Sequence, residues 1–197
     1  MSIGRMEGKV AVITGGASGI GRACALKLAA EGAEIMIADL SAKRCEDAAE
    51  EIRRTTNGRT LFVETDVCKE NDIEALADKT MEAFGRIDCL IAAAGVSTAT
   101  YVSGETGDTD PDFDSSLLNA PVEDWNRVLQ INLTGVMLSD RAIARRMVEA
   151  GTPGAIVNVA SSAARIALPG AADYCVSKAG VEMLTRVFAM ELSLIHI

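Results

Sequence analysis

The segment Thr14–Gly21 reads TGGASGIG and joins a β-branched run, Val10–Thr14, to a helical pattern. A glycine-rich turn that ends a strand and begins a helix is the sequence context of a dinucleotide phosphate site. Gly15 permits a tight turn, Gly19 allows a phosphate group to approach the backbone, and Gly21 allows the helix and the strand to pack closely. The helix N-terminus adds unpaired N–H groups and a positive dipole end. Outside this context, the same glycines would indicate only an ordinary loop.

Short apolar runs alternate with longer helical patterns along the rest of the chain. The predicted strands are Val10–Thr14, Glu34–Ala38, Thr60–Glu64, Asp88–Ala93 and Ala155–Ala160. The predicted helices are Ile20–Glu31, Ala42–Arg54, Asn71–Phe84, Val122–Ala150 and a last helix that begins near Ala172. Nearly continuous apolar strands are typical of parallel strands covered on both faces. The alternation therefore predicts an α/β fold with a doubly wound parallel sheet in a single domain.

Composition and charge disfavour several classes of protein. The 197 residues are 49% hydrophobic, which suits a buried core and is unlike a disordered chain. No apolar run reaches the length of a membrane span, and the first residues lack a secretory signal, so we expect a cytoplasmic protein without a membrane partner. The formal net charge of −9 disfavours nucleic acid as a partner.

Cysteine and histidine usage does not favour a metal site. The five cysteines are Cys24, Cys45, Cys68, Cys89 and Cys175. They form no CxxC pair and most lie in apolar segments, so we expect reduced core residues. The single histidine, His196, leaves no basis for a histidine-dependent triad or a zinc site.

One long segment, residues 97–121, has no clear period. Its acidic residues are Glu105, Asp108, Asp110, Asp112 and Asp114. The spacing of three of these aspartates is similar to that of a calcium-binding loop. However, Phe113 stands where the sharp-turn glycine belongs, and Asn119 stands where the bidentate glutamate belongs. We therefore interpret the segment as a solvated loop and expect no metal.

Asp39 ends the second predicted strand, twenty residues after Gly19. A carboxylate at this position can accept hydrogen bonds from the adenosine ribose hydroxyls and would repel a 2′-phosphate, which favours NAD over NADP. Arg44 could reach such a phosphate, but it lies in the following helix. The alternative is that Asp39 only caps the helix that begins near Ser41.

Tyr174 and Lys178 lie four residues apart near the start of the last helix, so they share one helix face. A phenol, with a pKa of about 10, is a poor base at neutral pH, and a nearby ammonium favours the phenolate. Ser161 follows the fifth strand, where a hydroxyl can donate to a substrate oxygen in the ligand crevice. The alternatives are a chance Tyr–Lys spacing and an ordinary turn serine.

Taken together, the chain resembles the classical short-chain dehydrogenases/reductases from about Gly8 to Glu191. The motifs that carry the resemblance are TGGASGIG, Asp39, DV at Asp66–Val67, INLTG at Ile131–Gly135, and a serine before YCVSK at Tyr174–Lys178. The resemblance implies a Rossmann-like fold and hydride transfer between NAD(H) and an alcohol or ketone. One departure is AAAG at Ala92–Gly95, where the family has NNAG, and we expect it to lower stability more than activity.

The resemblance also implies a catalytic tetrad of Asn132, Ser161, Tyr174 and Lys178. In that scheme Tyr174 is the general acid/base, Lys178 stabilises its phenolate and binds the nicotinamide ribose, and Ser161 orients the substrate oxygen. Asn132 holds a water that connects Lys178 to solvent, or else is only a polar residue that kinks a long helix. The cofactor-binding residues are predicted to be Gly15, Ser18, Gly19, Ile20, Gly21, Asp39, Leu40, Asp66, Val67, Ala93, Gly95, Tyr174 and Lys178.

The length and the last residues lead to a further expectation. Family members run to about 250 residues, so we expect residues 1–191 to be an incomplete domain without its C-terminal strands and substrate lid. Residues 192–197 read LSLIHI, a hexapeptide that a transposon end used in preparing sequencing libraries can encode. We therefore expect a non-native tail over 192–197.

Three functions stay open at this point. The first is the oxidoreductase described above, the second is a dinucleotide-binding module without turnover, and the third is an isomerase or lyase that borrows the same cofactor. Because family members are usually tetramers packed through the helices that correspond to Val122–Ala150 and Ala172–Glu191, we expect a homo-oligomer, either a tetramer or a dimer.

Overall fold

A computed structural model describes residues 4–98 and 116–194. The strands are β1 Val10–Thr14, β2 Glu34–Asp39, β3 Thr60–Glu64, β4 Cys89–Ala92 and β5 Ala155–Asn158. The helices are α1 Gly19–Ala30, α2 Ala42–Thr56, α3 Glu70–Phe84, α4 Val122–Leu129, α5 Gly135–Glu149 and α6 Ala172–Leu194. A π-helical turn, Gln130–Thr134, follows α4, and a 3₁₀ turn, Ser162–Ala164, precedes α6. The predicted strands, and the predicted helices other than Val122–Ala150, are confirmed within a few residues at their ends.

Some expectations fall on residues that the structure does not describe. The acidic side chains from Glu105 to Asp114 lie outside the described residues, and so does His196. The calcium alternative and the interpretation of 97–121 as a solvated loop therefore stay predictions.

Residue contacts group the described chain into two compact units. The first contains the described residues up to Ala94 together with Val136–Val157, and it holds nearly all of the sheet. The strand order is β3-β2-β1-β4-β5, and β1 pairs in parallel with both β2 and β4. This order, with its flanking helices, confirms the predicted Rossmann-like, doubly wound α/β fold.

The core of the first unit follows from the apolar strands. All five residues of β1 are buried, as the continuous run Val10–Thr14 predicts for a central parallel strand. Helix α2 contributes Cys45, Ala48, Ala49 and Ile52, which recur at helical spacing and form one buried face. Sheet and helices therefore form one apolar core that supports the loops at the carboxyl ends of the strands.

Asp88 is a buried acid just before β4. Its carboxylate accepts hydrogen bonds from the Val10 N–H at 3.0 Å, from Lys9 Nζ at 3.1 Å and from both Nε and Nη2 of Arg86 at 2.7 and 2.6 Å. Burial alone would raise the pKa of Asp88, but the hydrogen bonds from Arg86, Val10 and Lys9 outweigh it and hold the pKa below its usual value of 3.8. The charged carboxylate thus joins the starts of β1 and β4.

The five cysteines are free thiols. Cys45 and Cys89 are buried, whereas Cys24, Cys68 and Cys175 are only partly buried. Only these two buried cysteines occupy the core positions that the sequence predicted for all five.

The second unit contains the described residues of 95–135 and 158–194. Its main element is α6, which contacts both α4 and the π turn. Gly180 allows this approach, because a Cβ at this position would lie 2.8 Å from Cδ2 of Leu133.

None of the described helices is long and apolar enough to cross a membrane.

The π turn is the main departure from the predicted helices. A single helix was expected over Val122–Ala150, but the Gly135 N–H bonds to the Gln130 carbonyl, five residues earlier. Asn132 lies within this wider turn and is fully buried. Such turns commonly occur at functional sites.

Candidate active site

The glycine turn of the first unit has the geometry that its glycines predict. Gly15 has a φ of +64°, and a Cβ there would lie 2.8 Å from Ala94 Cα. A Cβ on Gly21 would lie 2.2 Å from the Gly15 carbonyl oxygen, so no other residue fits without moving the turn. Gly19 has a φ of +50° and faces open space, with no atom within 4 Å of the Cβ position. The backbone at Gly19 is therefore accessible to a ligand.

The groups around this turn suit a nucleotide. The Ser18 side chain does not cap α1, which leaves the first N–H groups of the helix available to an anion. Ile20 and Leu40 expose 62% and 64% of their surface, so apolar side chains line the accessible side. Ala93 donates its N–H to the Thr14 carbonyl at 3.2 Å, at the point where the order of the strands reverses. Ligands bind at such switch points in open α/β sheets.

Asp39 ends β2, and its carboxylate has two partners. Oδ2 accepts the Ala17 N–H at 3.3 Å, and Oδ1 accepts Nη2 of Arg44 at 3.0 Å. The N-cap of α2 is Ser41, whose hydroxyl accepts the Arg44 N–H. The alternative function of Asp39 as that helix cap is therefore wrong. The carboxylate instead faces the glycine turn.

Asp66 and Val67 follow β3. The Asp66 carboxylate accepts the Cys68 N–H at 3.0 Å and pairs with Lys69 at 3.5 Å, so it organises its own turn. Val67 is buried. Contact of these two residues with an adenine ring stays a prediction.

Lys178 and Tyr174 lie on α6 in the second unit. Lys178 Nζ is 5.8 Å from the centroid of the Tyr174 ring and donates a hydrogen bond to the Val159 carbonyl at 2.7 Å. Only 4% of Lys178 is exposed, and this burial lowers the pKa of Lys178 from 10.5 to about 8. The Tyr174 hydroxyl forms no hydrogen bond with another described residue. The Tyr174 side chain is partly buried.

Asn132 connects the residues after β4 to α6. Its Oδ1 accepts the Val96 N–H at 2.8 Å, and its Nδ2 donates to the Val96 carbonyl at 2.8 Å and to Ser177 Oγ at 3.1 Å. Ser177 in turn donates to the Tyr174 carbonyl at 2.8 Å. Gly95 leaves little space here, since its Cβ would lie 3.3 Å from Asn132 Oδ1 and 3.5 Å from Lys178 Nζ. The water-holding role predicted for Asn132 stays a prediction.

Ser161 is partly buried and begins the 3₁₀ turn before α6. Its Oγ accepts the Ala163 N–H at 3.1 Å, as a turn serine does, and its hydroxyl hydrogen can still be donated to another oxygen. Ser161 lines an open groove of about 430 Å³ with Ala160, Ser162, Arg165, Ile166 and Glu182. Neither Tyr174 nor Lys178 lines this groove, so the action of Ser161 on the same substrate oxygen as Tyr174 stays a prediction.

Two residues near Tyr174 were missed by the sequence reasoning. Asp173 is 8% exposed, accepts the Thr98 hydroxyl at 2.8 Å and accepts the Tyr174 N–H at 2.7 Å. Ser177 is the other, although it lies within the YCVSK motif. The sequence signal that could have found Asp173 is its position in the first turn of a helix, where an acid interacts favourably with the helix dipole.

The strand order, the glycine turn after β1 and the acid after β2 define a Rossmann-type dinucleotide-binding fold. The family model for short chain dehydrogenases matches residues 9–197, and the chain belongs to this family. The resemblance drawn from the motifs is therefore confirmed.

The chain is also similar to individual dehydrogenases. It is 40% identical over 187 residues to the D-threitol dehydrogenase of Mycolicibacterium smegmatis, covering 95% of this chain and 65% of that protein. An NAD+-bound xylitol dehydrogenase matches with a TM-score of 0.85 and 31% identity, over 96% of this chain and 66% of the other. Carveol dehydrogenase from Mycobacterium avium, in complex with NAD, matches with a TM-score of 0.85 and 30% identity, over 96% of this chain and 68% of that chain. The chain thus spans about two thirds of the length of these relatives.

Proposed function

We propose that the protein is an NAD(H)-dependent oxidoreductase that interconverts an alcohol and a ketone, with Tyr174 as the general acid/base. The observation that carries the proposal is the buried Lys178 ammonium, which lies one helical turn after Tyr174 and 5.8 Å from its ring. With a pKa of about 8, Lys178 is mostly protonated at neutral pH. A cation in a poorly solvated position favours the phenolate form of a neighbouring phenol.

The proton is moved by side chains of the second unit. In the oxidative direction, the Tyr174 phenolate accepts the proton of the substrate hydroxyl, and Ser161 donates a hydrogen bond to the same oxygen. Hydride acceptance from the carbinol carbon is the chemistry that a bound NAD+ supplies. In the reductive direction, Tyr174 returns its proton to the carbonyl oxygen. Lys178 keeps its charge close to the phenol in both directions.

The cofactor is assigned to the glycine turn of the first unit. The open space at Gly19 and the uncapped N-terminus of α1 fit a pyrophosphate, and the exposed Ile20 and Leu40 fit apolar contact with a base. Asp39 would accept the adenosine ribose hydroxyls, which favours NAD. The xylitol and carveol dehydrogenases, whose solved structures contain NAD+ and NAD, support this choice. Gly15, Ser18, Gly21, Asp66, Val67, Ala93 and Gly95 complete the proposed contacts.

The substrate is proposed to be a small secondary alcohol or the matching ketone. The similarity to a D-threitol dehydrogenase and a xylitol dehydrogenase supports polyols as the first compounds to test. NADH formation from NAD+ would be followed by absorbance with threitol, xylitol and simpler secondary alcohols. We expect turnover with at least one of them and its loss in Tyr174→Phe. Turnover that survives this substitution would overturn the role of Tyr174.

The partners and location are part of the same proposal. We propose a homo-oligomer, a dimer or tetramer, in the cytoplasm. Helix α6 carries exposed apolar side chains at helical spacing, and these are Val176, Met183, Val187 and Met190. Light scattering after size exclusion tests the association, with Met183→Lys expected to shift the mass towards the monomer. An unchanged mass would argue against this face.

A further inference from the structure

A second groove, of about 540 Å³, lies in the first unit, at the edge of the sheet. It follows β3, which stands at the end of the strand order and pairs with β2 alone among the described strands. Arg59, which lines the groove, comes just before β3, so the groove reaches the amino end of this strand. The proposed cofactor residues lie instead at the carboxyl ends of the strands, and none of them lines this groove.

Part of the groove is apolar. Met36, Leu61, Phe62 and Val63 all contribute to its lining. Met36 and Val63 are buried, whereas Phe62 leaves 36% of its surface exposed. An exposed aromatic ring beside buried apolar side chains offers a surface for the apolar body of a ligand.

The remaining lining is mostly basic. Arg53 from α2, Arg59 from the turn before β3 and Lys79 from α3 meet at the groove, and Glu82 is the one acid among its described lining residues. This local excess of positive charge is opposite in sign to the net charge of −9 on the whole chain. Because like charges repel each other, three cations from three separate elements favour an anion between them.

Two of these cations are held in place by neutral or weakly paired groups. Arg53 Nη1 donates to the Thr60 carbonyl at 2.8 Å. The Arg59 guanidinium lies 4.6 Å from the centroid of the Phe84 ring, and its Nη1 is 3.6 Å from a carboxylate oxygen of Glu34.

Lys79 is exposed, and within the described part of the chain no carboxylate lies within 4.0 Å of its ammonium. The groove therefore combines two positioned guanidinium groups with an ammonium that an incoming anion can pair with. Fixed cations of this kind reduce the entropy lost when a ligand binds.

We infer that this groove binds a small amphipathic carboxylate, with its carboxylate among the three cations and its apolar body against Phe62. The volume lies within the range of about 300–1,000 Å³ that is usual for small-molecule sites. A second copy of the chain is a poorer occupant, because pairing two β3 edges would bring the same cations together. The inference goes beyond the proposed oxidoreductase and does not depend on it.

The test uses octanoate as the probe, with octanol and acetate as matched ligands that lack the charge and the apolar chain respectively. Titration of the ¹⁵N-labelled protein, followed by NMR, should show octanoate shifting the backbone amides of Leu61, Phe62 and Val63. We expect octanol and acetate each to bind about threefold more weakly or worse, and NAD+ not to displace octanoate. Added salt should weaken octanoate binding, because the cations are exposed and are screened.

Lys79→Gln should weaken octanoate binding by about threefold, and Lys79→Glu by about tenfold. Lys43→Gln is the matched control, since it also neutralises an exposed lysine, but one that pairs with Glu46 and Asp47 of α2. It should leave octanoate binding unchanged. Equal affinity in Lys79→Gln and Lys43→Gln, octanol binding as tight as octanoate binding, or displacement of octanoate by NAD+ would each overturn the inference. Failure to bind NAD+ would overturn only the proposed function.

Discussion

Asn132 Nδ2 donates a hydrogen bond of 3.1 Å to Ser177 Oγ, and both side chains are fully buried. Through this bond the π turn is fixed to α6 between Tyr174 and Lys178. The same Ser177 hydroxyl donates to the Tyr174 carbonyl, so the bond continues into the backbone of the helix that carries the proposed base. The Asn132–Ser177 pair thus supports the backbone of the helix that carries the proposed catalytic residues.

Ser177→Ala removes this support. Because the buried Asn132 amide then loses one partner, we expect a loss of about 1–3 kcal/mol in the free energy of unfolding. We also expect kcat to fall more than KM rises, since Tyr174 loses its fixed position. Urea denaturation and steady-state kinetics measure the two effects. Ser193→Ala is the control, because Ser193 is exposed and donates only to the Met190 carbonyl of the same helix. Equal behaviour of the two variants would contradict the role of Ser177.

Lys178→Met tests the cost of burying a charge. Below about pH 8, Lys178 is charged in both the folded and the unfolded state, and the full desolvation cost is present. Between about 8 and 10.5, the folded protein loses the proton and the unfolded chain keeps it, so wild-type stability rises with pH. Relative to that of Lys178→Met, the free energy of unfolding of the wild type should rise by about 1 kcal/mol per pH unit in this window. Urea denaturation across the window measures the gain.

The same variant should be inactive, because the phenolate loses its neighbouring cation. Lys178 would then lower the stability of the fold while being required for activity, as active-site charges often are. A stability difference that does not change with pH would show that Lys178 has an ordinary pKa.

The elements and the proposed catalytic residues were largely predictable, whereas their contacts were not. Apolar runs and glycine spacing indicated β1, the turn and α1, because these signals are local in sequence. The bond between Thr98 and Asp173 joins residues 75 positions apart, which no local pattern encodes. The contact of Asn132 with Val96 likewise joins residues 36 positions apart. The Asp39–Arg44 pair requires the direction in which α2 leaves β2, which sequence spacing alone does not fix.

Asp88→Asn tests the acid that joins β1 and β4. Because the folded-state pKa of Asp88 is lowered, its stabilisation is present above the unfolded pKa of 3.8 and is lost as pH falls through the folded value. We expect the variant to be less stable than the wild type by about 1–3 kcal/mol at neutral pH. This difference in stability between the variant and the wild type should become smaller at acidic pH. Asp47→Asn removes an acid that is 58% exposed, and it should change stability by about 0.5 kcal/mol or less. A difference independent of pH would contradict the charged state of Asp88.

Gly19→Ala tests whether a ligand approaches the glycine turn, separately from any effect of the substitution on folding. The Cβ would enter open space, so the only cost in the free protein is the positive φ of +50°, about 1–2 kcal/mol. That methyl group would occupy the space proposed for the pyrophosphate, so we expect NAD+ affinity to fall by tenfold or more. Calorimetric titration with NAD+ and thermal melting measure the two effects.

Gly8→Ala is the matched control for this prediction. Gly8 also has a positive φ, +72°, and a Cβ there would also meet no atom within 4 Å, but it lies before β1 and outside the proposed cofactor residues. Both variants should lose similar stability because the backbone strain is similar, and only Gly19→Ala should lose NAD+ binding. Gly21→Ala should lose both, since its Cβ would overlap the Gly15 carbonyl oxygen at 2.2 Å. If Gly19→Ala binds NAD+ as tightly as Gly8→Ala, the pyrophosphate does not approach this turn and the cofactor site lies elsewhere.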